Sequence, residues 1–401
     1  MPATRTAVPR YRSHAGPALF RQGFRPFFLA AGLWAAVAVP LWLTVFHGGL
    51  TVPTAFDPVA WHGHEMIFGF GCAVVAGFLL TAIPNWTGRL PLQGLPLAGL
   101  FAAWIAGRVA VAASGAIGIW PAAVIDIAFV VLLMAAALRE IVAGRNWRNL
   151  PLMLALLLLI GANVLMHLEV AGLADTAATG ERLGIAVLAM LIGLIGGRVI
   201  PSFTRNWLVK RGASALPAAF GLYDKLCLLA SLVGLAAWVG APDHALTGAA
   251  LLAAGALQLA RLARWQGQQT LSEPLVWSLH LGFLWLPLGL LLLGLGVLLP
   301  MLLTQTAGLH ALTAGAVGGM TLAVMTRATL GHTGRALKAD AATAVIYLSV
   351  AASAAIRVAA TALPEFYTAL LWGSGLLWVL AFGLFVLRYG PLHLSPGPGA
   401  G

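Results

Sequence analysis

Residues 275–297 read LVWSLHLGFLWLPLGLLLLGLGV, a stretch without a single Asp, Glu, Lys or Arg. A helix rising ~1.5 Å per residue over this length would cross the ~30 Å hydrocarbon core of a bilayer. Similar apolar runs recur from Pro26 to Tyr389. Backbone polar groups find no water in lipid, so such runs must form helices or closed barrels. Barrel strands alternate over about ten residues, unlike these runs. The sequence therefore predicts an all-α, polytopic integral membrane protein.

The composition supports a membrane domain and no soluble one. Of the 401 residues, 60% are hydrophobic and 9% are charged, whereas a soluble domain carries about a quarter charged residues. We predict an N-terminal arm at 1–24, a twelve-helix domain at 25–390 and a Pro/Gly-rich, disordered tail at 391–401. The predicted helices are 26–46, 60–83, 95–112, 118–137, 150–171, 183–203, 217–239, 244–263, 275–297, 308–326, 340–361 and 367–387.

The net charge of +11 would suit a nucleic-acid-binding protein, but its distribution argues against that class. Basic residues concentrate in the N-terminal arm, the even-numbered connections and the end of the last helix, and Arg182 is the exception. This is the positive-inside pattern, which predicts that both termini are cytoplasmic. The residues concerned are Arg5, Arg10, Arg12, Arg21, Arg25, Arg89, Arg139, Arg145, Arg148, Arg205, Lys210, Arg211, Arg261, Arg264, Arg327, Arg335, Lys338 and Arg388.

Helices 2, 6 and 10 end in similar ways. Arg89 follows His64 by 25 residues, Arg335 follows His310 by 25 residues, and Asn206-Trp207 follows Asn85-Trp86 by 121 residues. This spacing suggests three four-helix units of about 120–125 residues, as in membrane proteins built from weak internal repeats. The alternative is chance, because glycines and Arg-bearing helix ends are common in membrane proteins.

Ionisable groups within membrane spans are costly and usually functional. The richest group is Trp61-His62-Gly63-His64-Glu65-Met66, at one end of the second helix. On a regular helix His62 and Glu65 share a face, whereas His62 and His64 point ~200° apart. The two histidines therefore serve two sites, or converge only if the helix starts after them. Imidazole suits copper, iron and zinc, and a carboxylate commonly orients such a ligand. The alternative is an interfacial cluster solvated by water and headgroups.

The predicted topology sorts the other ionisable groups by depth. Near the outer face it brings together four histidines and two carboxylates: His62, His64, His167, His310, Glu65 and Glu169. Toward the cytoplasm it places His280, His332 and Arg327, and an Arg beside a haem commonly pairs with propionates.

The alternatives to a ligand role are a hydrogen-bonded core histidine and a solvated loop histidine. Arg198 is expected to lie in the membrane, where it would bind an anionic group, and Arg108 and Asp126 are expected to pair. No ligand role is predicted for His14, His47, His244 and His393.

Several blocks resemble the NnrS family. They are Arg25-Pro26-Phe27-Phe28-Leu29, Trp61 to Phe70, Asn85-Trp86-Thr87-Gly88-Arg89, Gly197 to Asn206, His310 to Gly315 and Met325 to Arg335. The resemblance covers Arg21 to about Tyr389. It implies a bacterial inner-membrane protein that carries haem, expected to be of b type, and copper. It also implies a role in the nitric oxide response and in resistance to nitrosative stress. The histidines in family-like blocks are His62, His64, His167, His280, His310 and His332, and the resemblance does not assign them individually to iron or copper.

Haem–copper oxidases and nitric oxide reductases offer a more distant analogy. They too have twelve helices in three arcs of four, with haem-ligating histidines on the second and tenth helices. The analogy fails at the sixth helix, which has no His here. His167 on the fifth helix is the candidate substitute.

The leading hypothesis from the sequence is a haem protein that binds nitric oxide and, if an enzyme, is an oxidoreductase that turns it over at a haem–metal centre. Glu65 and Glu169 would relay protons, and an electron donor that the sequence does not identify would reduce the centre. One competing hypothesis is a secondary transporter of a metal, haem or a nitrosylated iron species, which twelve Gly/Pro-interrupted helices also fit. Another is a haem-binding sensor without turnover.

Overall fold

The computed structural model describes residues 16–396, and every regular element within them is a helix. Twelve helices are long and apolar enough to cross a membrane, which confirms the predicted fold class. We number them α1–α12 in chain order: Phe24–Phe46, Pro58–Thr87, Leu95–Ala112, Ile119–Ala143, Trp147–Val170, Ala177–Val209, Leu222–Gly240, Ala245–Ala263, Pro274–Leu298, Gln305–His332, Ala341–Ala359 and Pro364–Leu394.

The helices match the predicted spans, but several are longer than predicted. The sixth span was predicted at 183–203, whereas α6 covers Ala177–Val209, and its added turns carry Glu181 and Arg205. Charged residues end an apolar run without ending a helix, because helices extend into the polar headgroup layer.

The two ends of the chain are only partly described. The predicted tail boundary at 391 is too early, because α12 continues to Leu394. His393 in this last turn is fully buried, and its Nε2 lies 3.3 Å from Thr329 Oγ1. Residues 1–15, which include most of the predicted arm and His14, lie outside the described residues, as do 397–401.

The helices form a closed arrangement around three buried members. Each helix packs against the next one in the chain, and α1 packs against α12. α2, α6 and α10 are the most deeply buried spans. α6 contacts both of the others, and together with α5 the three line an apolar cavity of about 100 Å³. They occupy equivalent places in the three predicted four-helix units.

The same three helices share an irregularity. Each contains one π-helical segment: Glu65–Gly71 in α2, Ile192–Gly196 in α6 and Ala311–Val317 in α10. Such π-helical segments are rare, and they occur often at functional sites. Two of these segments follow directly after His64 and His310, the residues that the repeat pairs. Their placement supports the repeat as more than chance.

A buried ion pair stabilises the π segment of α6. Arg261 of α8 is fully buried, and its Nη1 donates to the carbonyl oxygen of Gly193 at 3.0 Å. Its Nε donates to Asp224 Oδ1 of α7 at 2.8 Å. A guanidinium thus satisfies a carbonyl group in the irregular segment while its charge is compensated by a neighbouring carboxylate.

Candidate cofactor and metal sites

The start of α2 decides how its two histidines are oriented. Asp57 is the N-cap, and its Oδ1 accepts hydrogen bonds from the backbone N–H groups of Val59 and Ala60 at 2.9 and 3.0 Å. The helix therefore begins before His62 and His64, and both lie on a regular turn. The predicted angle of ~200° applies, and the two side chains serve different sites.

His64 belongs to a buried group that we call the polar cluster. Its members come from α2 to α5 and are at most 4% exposed. They are His64 and Glu65 of α2, Arg108 of α3, Asp126 of α4, and Asn163 and His167 of α5.

The carboxylate of Asp126 is the centre of the polar cluster. Its Oδ2 lies 3.0 Å from His64 Nε2, 3.1 Å from His167 Nε2 and 2.8 Å from Asn163 Nδ2, which donates to it. Its Oδ1 accepts from Arg108 Nη2. The expected pairing of Arg108 with Asp126 is therefore present, but as part of a larger site.

Glu65 completes the polar cluster on the other side of Arg108. Its Oε2 accepts from Arg108 Nη1 at 2.7 Å, and its Oε1 lies 3.3 Å from His64 Nδ1. Two carboxylates and one guanidinium are thus buried together. The ligand atoms of His64, Asp126 and His167 lie within 4.8 Å of one another, a spacing that could hold a metal ion.

His62 points to the opposite side of α2, into a cavity of about 390 Å³ that we call the histidine cavity. The cavity lies among α1, α2, α6, α10, α11 and α12. The polar and aromatic residues that line it include Trp42, His62, Glu181, His310, Arg357 and Tyr367.

The two histidine rings of this cavity are held differently. The His62 ring stacks on Trp42, with centroids 4.1 Å apart and planes at 22°, and its Nδ1 has no hydrogen-bond partner among the described residues. His310 Nδ1 lies 2.9 Å from the carbonyl oxygen of Thr306. A carbonyl oxygen can only accept, so Nδ1 carries the hydrogen and Nε2 keeps a free lone pair. Metal-ligating histidines commonly have this arrangement.

The four histidines expected near one face therefore form two pairs and not one group. His64 and His167 share the polar cluster, whereas His62 and His310 share the histidine cavity. The repeat pairs His64 with His310 by position, yet the two residues lie in different sites.

Two other predicted site residues lie outside both sites. Glu169 Oε2 accepts from the backbone N–H groups of Thr176 and Ala177 at 2.9 and 2.5 Å, so it binds the start of α6. Arg198 has an exposed side chain on α6 and does not line the histidine cavity. The geometry supports neither a proton relay at Glu169 nor a buried anion site at Arg198.

The residues predicted to lie toward the cytoplasm have different contacts. His280 Nε2 lies 2.8 Å from Thr204 Oγ1, and the guanidinium of Arg327 lies 4.0 Å from the ring centre of Phe203. The His332 ring instead packs against Phe24 of α1, with centroids 5.5 Å apart. The Nδ1 of His280 has no hydrogen-bond partner among the described residues.

Sequence reasoning missed three residues of the sites. Asn163 is one helical turn before His167, a spacing that places both on one face and could have revealed it. Glu181 lies next to Arg182, the exception to the charge pattern, and was not predicted as a site residue. Arg357 is a lone cation in an apolar span, which is itself a signal of function. Glu181 and Arg357 line the histidine cavity together with residues of distant helices, so no local pattern identified their site.

The family model described as NnrS protein matches residues 18–396, nearly the whole chain. The chain belongs to the NnrS family. No curated protein and no solved structure matches it, so the comparison with haem–copper oxidases stays an analogy. NnrS membership supports a role for this NnrS chain in the nitric oxide response.

Proposed function

We propose that this NnrS chain is a haem- and copper-binding protein of the bacterial inner membrane that binds nitric oxide and removes it, with both termini in the cytoplasm. The observation that carries the proposal is the meeting of His62 and His310, from α2 and α10, at one cavity within the helical domain. A histidine is the usual protein ligand of haem iron in gas-binding proteins.

The histidine cavity fits haem in its donor atoms and its lining. His310 has a free Nε2 and a backbone partner on Nδ1. His62 has an orphaned Nδ1 and a ring oriented by Trp42. Aromatic and aliphatic side chains form most of the remaining wall. His310 and His62 are therefore the residues that would hold the haem.

The polar cluster fits copper in its donor set. Two imidazoles and a carboxylate suit copper, and also zinc or iron. The formal charges of Glu65, Asp126 and Arg108 leave one net negative charge when both carboxylates are ionised, and this charge would compensate part of that of a bound cation. Glu65 and Asn163 contact the ligands His64 and Asp126 and would orient them.

The two sites favour separate roles over a shared haem–copper centre, because they lie on opposite sides of α2. When bound, haem would supply an iron that binds nitric oxide, and copper would supply a second redox ion. Glu181 places a carboxyl group at the cavity wall, where it can hold or release a proton beside a bound ligand. Its position makes it a better candidate for proton transfer than Glu169.

The test is the absorption spectrum and metal content of the full chain, purified in detergent after expression with haem and copper supplied. We expect a Soret band that shifts on reduction with dithionite and again on addition of nitric oxide. The His310→Ala variant should lose most of the bound haem. His244→Asn, which keeps a capping residue at the exposed start of α8, should retain it. A wild-type chain without any Soret band would overturn the proposal.

A further inference from the structure

Arg357 of α11 differs from the ion-paired arginines of the interior. Its side chain is 8% exposed, it lines the histidine cavity, and its Nη1 has no hydrogen-bond partner among the described residues. Arg108 is ion-paired with Glu65 and Asp126, and Arg261 with Asp224. No carboxylate within the described part of the chain forms an ion pair with Arg357.

A guanidinium without a compensating negative charge is expensive to bury inside a membrane domain. The nearest aromatic partner is Tyr367, whose ring centre lies 5.8 Å from the guanidinium carbon. The ring and hydroxyl of Tyr367 offset part of the cost, the hydroxyl by a side-chain hydrogen bond. A neutral phenol supplies neither a negative charge nor the two in-plane oxygens that match the planar guanidinium. An anion would compensate the charge of Arg357 and give Nη1 a hydrogen-bond acceptor.

The position of Arg357 indicates where that anion would lie. Arg357 shares the cavity with His62 and His310, and the space of about 390 Å³ is far larger than one water molecule needs. A planar anion with two oxygens matches the planar guanidinium, which then donates two parallel hydrogen bonds.

We propose that Arg357 binds a planar, two-oxygen anion inside the histidine cavity. Two sources share this chemistry: a propionate group of haem and a free ion such as nitrite. The first source rests on the proposed function, and the second does not need haem. Arg357, and not Arg327, is then the anion-binding arginine of this chain.

The first arm of the test compares haem with its dimethyl ester, in which the propionates are neutral. If a propionate is the ligand, the full-length wild-type chain should bind haem about 10- to 100-fold more tightly than the ester, as expected for a charge-assisted hydrogen bond. Arg357→Gln should lose this preference. Arg357→Lys keeps the positive charge but not the paired N–H donors of the planar guanidinium, so it should retain part of the preference. Arg327→Gln is the matched control and should behave as wild type.

The second arm uses the haem-free chain and sodium nitrite, with tryptophan fluorescence and thermal unfolding as readouts. If a free ion is the ligand, nitrite should quench fluorescence and raise the unfolding temperature in wild type but not in Arg357→Gln. Size-exclusion profiles show whether each variant is folded. Arg357→Lys keeps the positive charge, so it shows whether a folded chain with a cation at this position still binds nitrite. Absence of both effects in a folded wild-type chain would overturn the proposal. A chain that binds no haem but does bind nitrite through Arg357 would contradict the haem proposal alone.

Discussion

His62 and His64 face opposite sides of α2 although only Gly63 separates them. His62 lies in the histidine cavity beside His310, and His64 lies within 3.0 Å of Asp126 in the polar cluster. The start of the helix at Pro58 fixes this divergence. One turn of one helix therefore contributes to two sites.

We expect the two sites to be separable by substitution. His62→Ala should lower haem occupancy and leave copper content near wild type, whereas His64→Ala should do the reverse. Haem absorbance and metal analysis of the same preparations measure both quantities. Equal loss of both cofactors in each variant would indicate one shared centre.

Neutralising Asp126 should destabilise the fold strongly. Asp126→Asn removes the charge that compensates Arg108, and a buried ion pair broken on one side typically costs about 3–5 kcal/mol. Glu140→Gln is the matched control, because Glu140 pairs with the exposed Arg89 at 2.6 Å, and surface pairs contribute about 1 kcal/mol or less. Unfolding in mixed detergent micelles measures both. Similar losses for the two variants would contradict the assignment of Asp126 as the centre of the cluster.

The Arg261–Asp224 pair should show non-additive substitution effects. Arg261→Met leaves Asp224 buried without its cation, and Asp224→Asn leaves Arg261 without its anion. Each single variant should lose about 3–5 kcal/mol, and the double variant should lose less than the sum, because no uncompensated charge remains. A double-mutant cycle of unfolding free energies measures the coupling. Strict additivity would show that the pair is not coupled.

The close approach of α9 and α10 depends on a glycine. A Cβ added to Gly282 would lie 2.9 Å from the carbonyl carbon of Gly319 and from the backbone nitrogen of Met320. Gly282→Ala should therefore lose about 1–3 kcal/mol of stability by overpacking. Gly373→Ala, in α12, meets no atom within 4 Å and should be neutral or gain a few tenths to about 1 kcal/mol. Thermal unfolding in detergent distinguishes them, and the reverse order would refute the close packing.

Stability should depend on Asp340 at low pH. Hydrogen bonds from Thr343, aided by Arg388, hold the pKa of the Asp340 carboxyl at about 2. An unfolded Asp has a pKa near 3.9. The charged cap therefore stabilises α11 fully above about pH 4, and its contribution is lost as the pH falls toward 2.

Asp340→Ala should cost about 1 kcal/mol near neutral pH and progressively less below pH 4. Asp340→Asn keeps a capping acceptor and should lose only the part that depends on charge. Unfolding temperatures of the three proteins between pH 7 and pH 3 measure the trend. A constant gap between wild type and Asp340→Ala would rule out the ionised cap.

Much of the fold followed from the sequence because lipid restricts the choices. Runs such as 275–297 were too long and too continuously apolar for barrel strands, and α9 is found at Pro274–Leu298.

The histidine pairs were harder to predict from the sequence. The ~200° angle between His62 and His64 left two outcomes open, divergence or convergence, until the helix start was known. Which partners each histidine has depends on which helices face each side of α2. Arg108 and Asp126 were expected to pair, whereas their contact with His64 and Glu65 depends on packing between helices. Arg357 lines the same cavity as His62 and His310 only because spans that are distant in sequence pack around it.

The origin of each site along the chain has a consequence for biosynthesis. All six residues of the polar cluster come from α2–α5 and can come together while the rest of the chain is still being translated. The histidine cavity also needs α10, α11 and α12, so it is completed only after the last helix has left the ribosome. If the two sites bind the proposed cofactors, a nascent chain could capture copper, whereas haem could bind only to the finished chain.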